Sequence, residues 1–210
     1  MLTTRLLIIA ALAAAFAGSG AVAQRQQPQA QLVRGTIERV DGNTIYGKGA
    51  DGSTITLKLA DKATITAVLK ATIADIKPGD YVGSGAVPQP DGSQKAVEVH
   101  IFPKPQEDGG HFYEGWYGAP NGTMTNGFVQ PVQVTTAATG GSEPSIVLKY
   151  PQGEKRIIVP ADAHIVRNVP GSRDDLKAGA AFRTQTGAKQ PDGTYTASAI
   201  NVGRDGARPF

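Results

Sequence analysis

Three histidines, His100, His111 and His164, are the first side chains to weigh for chemistry. His100 follows Glu98 in the run Glu98-Val99-His100-Ile101, and a strand sets residues i and i+2 on one face. An acid and an imidazole so placed form half of a metal site. Zinc sites use three or four convergent ligands at recognisable spacings, so the pair by itself reads as a solvent-facing polar row. His100 and His111 with nearby acids are the seed of an alternative reading, a soluble metal-associated or transport-accessory protein. His164 opens a strand where Thr64 stands in the first half, and reads as structural. There is no H-E-x-x-H pair, no acidic calcium loop and no G-x-S-x-G nucleophile elbow. Cysteine is absent, which excludes thiol catalysis and thiolate metal sites. Asp91 and Asp192 look like a carboxylate pair, but each belongs to a Pro-Asp-Gly run that turn chemistry already explains. Asp174-Asp175 suits the start of a helical turn, where acids complement the dipole. The sequence nominates no catalytic residue, no metal ligand set and no cofactor, and the chain reads as a non-enzyme.

One stretch does stand out. His111-Phe112-Tyr113-Glu114-Gly115-Trp116-Tyr117 holds the only Trp of the chain among four closely spaced rings. Gly- and Pro-rich segments flank it on both sides. Rings of this size gain their value by being buried or ordered. Two readings stay open: Phe112, Tyr113, Trp116 and Tyr117 fill the gap between two modules, with Trp116 as a wedge, or they form a surface for a small ligand or an envelope protein.

The elements that would position these residues follow a leader. Met1 to Arg5 carries one positive charge, Leu6 to Ala17 is unbrokenly apolar, and Ala21-Val22-Ala23 is a small-x-small site before Gln24. That order is the signature of a secretory signal peptide over residues 1–23. The apolar run is shorter than the roughly 20 residues a spanning helix needs, and no later stretch approaches that length. The mature part is therefore expected to be periplasmic or secreted, with no membrane span. The full chain carries a net charge of +3, and Arg5 leaves with the signal. No long Lys/Arg run appears, so no nucleic-acid partner is expected.

Residues 24–31 are polar and low in complexity and read as a disordered lead. From Val33 the pattern is short strands and turns. Val33–Val40, Thr44–Lys48, Ser53–Leu59, Ala63–Leu69, Tyr81–Val87 and Gln94–Phe102 read as strands, with a helical turn near residues 71–76. Asp-Gly at 41–42, 51–52 and 91–92 marks hairpins in which both central residues take positive φ. The second half repeats the punctuation. Leu176-Lys177-Ala178-Gly179 mirrors Ile76-Lys77-Pro78-Gly79, and Gln190-Pro191-Asp192-Gly193 mirrors Gln89-Pro90-Asp91-Gly92. Self-similarity of this kind points to repeated units. The expectation is an all-β protein with two small OB-like or similar closed barrels in tandem. Module 1 covers residues 32–103, a Gly/Pro/aromatic linker 104–122, module 2 residues 123–204, and a tail 205–210. So few strands expose their edges unless the sheet closes.

The opening strand–Asp-Gly–strand, the run Asp75-Ile76-Lys77-Pro78-Gly79-Asp80-Tyr81-Val82 and the closing hairpin together resemble exported β-barrel domains of the DUF5666 type. The resemblance runs over Val33 to Phe102 and, with Ala178 and Ala180 in place of Pro78 and Asp80, over Phe128 to Val202. It implies a closed barrel and an exported location, and no catalytic residue. Relatives of this look are sometimes labelled permeases of metal uptake systems. That label conflicts with a chain lacking several spanning helices.

The exported form should begin at Gln24. N-terminal sequencing of protein recovered from outside the cytoplasm checks this, and an intact Met1 would contradict it.

Overall fold

The computed structural model describes residues 31–105, 109–113, 121–131, 143–186 and 189–209. Trp116 and Tyr117, like the leader, lie outside the described residues. Among the described residues there are twelve strands and two single-turn 3₁₀ segments. The strands are β1 (Gln31–Asp41), β2 (Thr44–Lys48), β3 (Thr54–Lys70), β4 (Tyr81–Pro88), β5 (Gln94–Phe102) and β6 (Gly110–Tyr113). They continue as β7 (Thr123–Val129), β8 (Ser145–Tyr150), β9 (Gly153–Ile158), β10 (His164–Pro170), β11 (Ala181–Thr186) and β12 (Tyr195–Gly203). No helix among the described residues is long and apolar enough to cross a membrane.

Alternation sets the inward faces. Ile45, Ile55, Leu57 and Leu59 are buried, while Thr54 and Lys58 between them face out. The Asp-Gly loops depart from the two-residue hairpin. At 51–52, 91–92 and 192–193 only the Gly has positive φ. Gly52, Gly92 and Gly193 donate back to the carbonyls of Gly49, Gln89 and Gln190. The Asp carboxylate accepts from the backbone N–H two residues on, at Ser53, Ser93 and Thr194. The Asp side chain thus satisfies a loop donor, and Gly alone takes the left-handed position. This is a type I turn with a following Gly rather than a primed turn.

Five strands close a barrel. β1 pairs antiparallel with β2 and with β11, β2 pairs with β3, β11 with β12, and β12 runs parallel to β3 to complete the ring. Its core is Ile37, Ile45, Leu57, Leu59, Phe182, Ile200 and Val202, with Leu176 at one end. Phe182 fits because Gly35 and Gly47 sit against its ring. A Cβ on either would lie about 3 Å from a Phe182 ring carbon.

This barrel takes β1–β3 from the first half of the chain and β11–β12 from the second. The expected tandem arrangement, with 32–103 and 123–204 each closing on itself, is not how the strands pair. The complementary strands form a second ring of pairings, β5–β4–β7–β8–β9, returned to β5 through Gln94↔Ile157 and Lys95↔Ile158. Its core mixes Ile76, Val82, Val99 and Ile101 with Val129, Ile146, Leu148 and Ile157. β10 lies between β3 and β5 and joins all twelve strands into one sheet.

The exchange has a local cause. Where a break is expected between Leu59 and Ala63, β3 instead continues for 17 residues, with a register shift against β12 between Leu59 and Thr64. At a rise of about 3.3 Å per residue it carries the chain roughly 55 Å, out of the barrel, before it can turn. In the second half Pro160 does break the run between β9 and β10, since it cannot donate to a ladder. After each 3₁₀ turn a Gly with positive φ, Gly79 or Gly179, redirects the chain. Gly79 N–H donates to the Val129 carbonyl and Val129 N–H to the Asp80 carbonyl. Gly179 donates to Ile37, and Ile37 to Ala180, in the same pattern. Each redirecting Gly is thus bonded to the opening strand of the other half.

Ile76 and Leu176 occupy these ends and are 8% and 7% exposed. Ile76→Ala and Leu176→Ala should each cost about 2–5 kcal/mol. Because both cores draw on both halves, urea unfolding of either variant should stay one transition, coincident by fluorescence and circular dichroism. Two separated transitions would contradict the shared cores.

Candidate functional site

The sequence-nominated groups fall into two separate clusters. β6 carries the aromatic stretch into the sheet beside β7, with His111 opposite Thr125 and Tyr113 opposite Thr123. Phe112 is 36% exposed, so this ring is not a buried plug. His111 Nδ1 lies 2.8 Å from Thr125 Oγ1, and its ring stacks on Tyr150. Burial, reinforced by the Lys155 charge, pulls the His111 imidazole below its ordinary range, which favours the neutral ring.

His100 lies elsewhere. Its Nε2 is 3.1 Å from Glu98 Oε1, and its ring stacks on Phe102. The expected solvent-facing row is corrected here, because Glu98 is fully buried. β5 is flanked on both edges, with Gly85 on β4 and His164 on β10 standing opposite Glu98. Among the described residues no three His, Asp or Glu side chains gather as a metal would require.

A third cluster was not visible in the sequence. Arg34, Lys48, His164 and Arg208 line a cavity of about 600 Å³ with Gly35, Thr36, Gly49, Ala50, Ala181, Phe182 and Pro209. Cross-strand pairing builds one wall, with Thr36 opposite both Ala181 and Lys48. The segment after β12 builds the other. Arg204 N–H donates to the Val68 carbonyl, and its guanidinium grips both Asp175 oxygens at 2.8 and 3.0 Å. Asp205 and Gly206, both with positive φ, then turn the chain, closed by the Ala207 N–H donating to the Arg204 carbonyl. Ala207 is buried against Val68 and Val166. A Cβ on Gly203 would collide with the Ala207 carbonyl, so only Gly lets the segment fold back there. Arg208 is thereby held beside His164, whose Nε2 is 3.0 Å from the Arg208 carbonyl oxygen.

The residues are dispersed at 34, 48, 164 and 208, so a search for basic runs finds nothing. The one usable signal was Asp205-Gly206 directly after the last strand, a turn that returns the chain onto the sheet.

No family model matches the chain, and neither a curated protein nor a solved structure is found to be similar to it.

The Arg204 fork holds the Asp175 carboxyl below the usual carboxylate range. A depressed folded value means the contribution is complete above the unfolded value, near pH 4, and is lost as pH falls through the folded one. Asp175→Asn should therefore lower the urea midpoint at pH 6 and make no difference near pH 2. It should also raise amide exchange over residues 204–208. Equal midpoints at pH 6 with unchanged exchange would show that the fork does not anchor the segment.

Proposed function

We propose that the protein is an exported, non-enzymatic β-barrel module that binds a ligand in the cell envelope. The observation that carries this reading is the cavity of about 600 Å³ closed by the folded-back segment. Ligand sites are concave, of this size, and largely preformed. Its walls are paired strands, the β2–β3 loop at Gly49 and Ala50, and the anchored segment. The leader and the resemblance to DUF5666-type domains support the exported location. The barrel order β1–β2–β3–β12–β11 has its parallel contact between β3 and β12, and this supports an OB-like reading. The paired Gly79 and Gly179 contacts support two copies of one unit that exchange their last two strands. A second ring built from the complementary strands fits that reading. Phe112 and Phe128, 36% and 44% exposed, are where a partner protein would meet the aromatic stretch.

The mature chain, screened by thermal shift against charged and neutral small molecules, should show saturable stabilisation by at least one class. Linkage predicts about 2.7 kcal/mol at a ligand concentration of 100 Kd. Mass spectrometry should recover that ligand intact. Recovery of a chemically altered ligand would refute the non-enzymatic reading, and stabilisation by none would refute the binding one.

A further inference from the structure

We infer that the cavity between β1, β2, the start of β10 and the folded-back segment binds the phosphoryl group of a phosphomonoester, with the organic part of the ligand against its apolar wall. The inference rests on the ligand-binding reading above and adds the chemistry of the ligand. Arg34 and Lys48 from the β1–β2 hairpin and Arg208 from the folded-back segment line it together with His164, and no carboxylate of the described residues is among the lining. None of the three permanent cations makes an ion pair with a described carboxylate, whereas Lys95, Arg156 and Arg204 do. Asp51 lies beside Gly49, its Oδ1 accepting the Ser53 N–H at 3.0 Å, and one carboxylate leaves most of the positive charge uncompensated. Arg34 also stands directly opposite Arg183 across the β1–β11 ladder, a like-charge placement that disfavours the sheet. Positive charge gathered in such excess is offset by an anion.

The number of cations selects the anion. A monocarboxylate offers two oxygens and one charge, and would leave two of three cations uncompensated. A phosphomonoester offers three equatorial oxygens and close to two charges. Guanidinium forks match phosphate oxygens bidentately, and a lysine adds a mobile point charge. Bare phosphate would leave most of about 600 Å³ unfilled. Ala50, Ala181 and Pro209 provide an apolar surface for an attached organic group.

The test is isothermal titration of the mature chain at low salt with inorganic phosphate, phenyl phosphate, phthalate and benzoate. Phenyl phosphate should bind with Kd below about 1 mM, more tightly than inorganic phosphate and at least about tenfold more tightly than benzoate. Arg34→Gln and Arg208→Gln should each weaken it about tenfold, a loss typical of one charge-assisted contact. Lys95→Gln, a cation outside the cavity, should leave binding unchanged, and circular dichroism should report a native fold for all three variants. Co-sedimentation with phosphatidic acid vesicles, competed by phenyl phosphate, would identify a lipid headgroup as the source. Binding of phenyl phosphate without sedimentation would identify a soluble one. Phthalate binding as well as or better than phenyl phosphate would overturn the phosphoryl assignment and leave the ligand-binding reading standing. Silence of all four anions while a neutral compound stabilises the protein would do the same. Phenyl phosphate affinity unaffected by either Arg variant would overturn the site. Salt-dependent binding of single-stranded DNA that both Arg variants abolish, without phenyl phosphate binding, would assign the cations to nucleic acid instead.

Discussion

The structure depends on the length of β3, whose pairing with β12 shifts register between Leu59 and Thr64 and then resumes. Its first residues pair with β2, its middle runs parallel to β12, and its last residues pair with β10. One strand therefore closes the barrel and also leaves it. A strand that kept all its ladder bonds but bent back after Leu59 would lose the β10 contact that ties the two rings together. Backbone donors and acceptors must be satisfied somewhere, and along β3 they are satisfied by its neighbour β2 and by β10 and β12 of the second half. The chain after β3 emerges too far from β1 to pair with it. The strands that close each ring come from the other half.

Each core is therefore shared. The chain has no cysteine, so no disulfide holds the fold together, and burial must do so. Leu57 and Leu59 pack with Phe182, Ile200 and Val202 in one cluster. Val99 and Ile101 pack with Leu148 and Ile157 in the other. Neither half owns a complete core, so neither is expected to melt alone. The small third cluster of Val68, Val166 and Ala207 extends this sharing to the last residues, and fixes them with a single alanine.

The cation-lined cavity is a by-product of that arrangement. β1 and β11 meet because the halves exchange strands, and this puts Arg34 beside Ala181. β10 enters between the rings and brings His164 to the same place. The segment after β12 returns because Gly203 is small and Arg204 finds Asp175. Electrostatics alone would keep Arg34, Lys48 and Arg208 apart. Ladder hydrogen bonds and a buried alanine hold them together against that repulsion, as is expected where a scaffold is arranged for a charged ligand.

Much of the local structure was legible from residue order alone. Alternation in Ser53–Leu59, the Asp-Gly loops and the Lys-Pro-Gly-Asp turn depend on side-chain period and on φ preferences that act within a few residues. Each appears at its expected place, and Ile76 and Leu176 are buried as their matching positions require. The turn type in the Asp-Gly loops was not legible, because it depends on which of two residues takes positive φ. Nor was the partner of each strand. A strand's alternation says which face is buried and nothing about which neighbour completes its ladder, and here that choice turned on whether residues 60–62 stay extended. The burial of Glu98 came from flanking strands on both edges. The cavity came from residues 34 and 48, joined by the β1–β2 hairpin, and from residues 164 and 208, which only the tertiary fold brings to them. Sequence by itself determined the elements and their inward faces, because those forces are local. Tertiary structure decided which halves share a core and which charges meet, because those depend on long-range pairing.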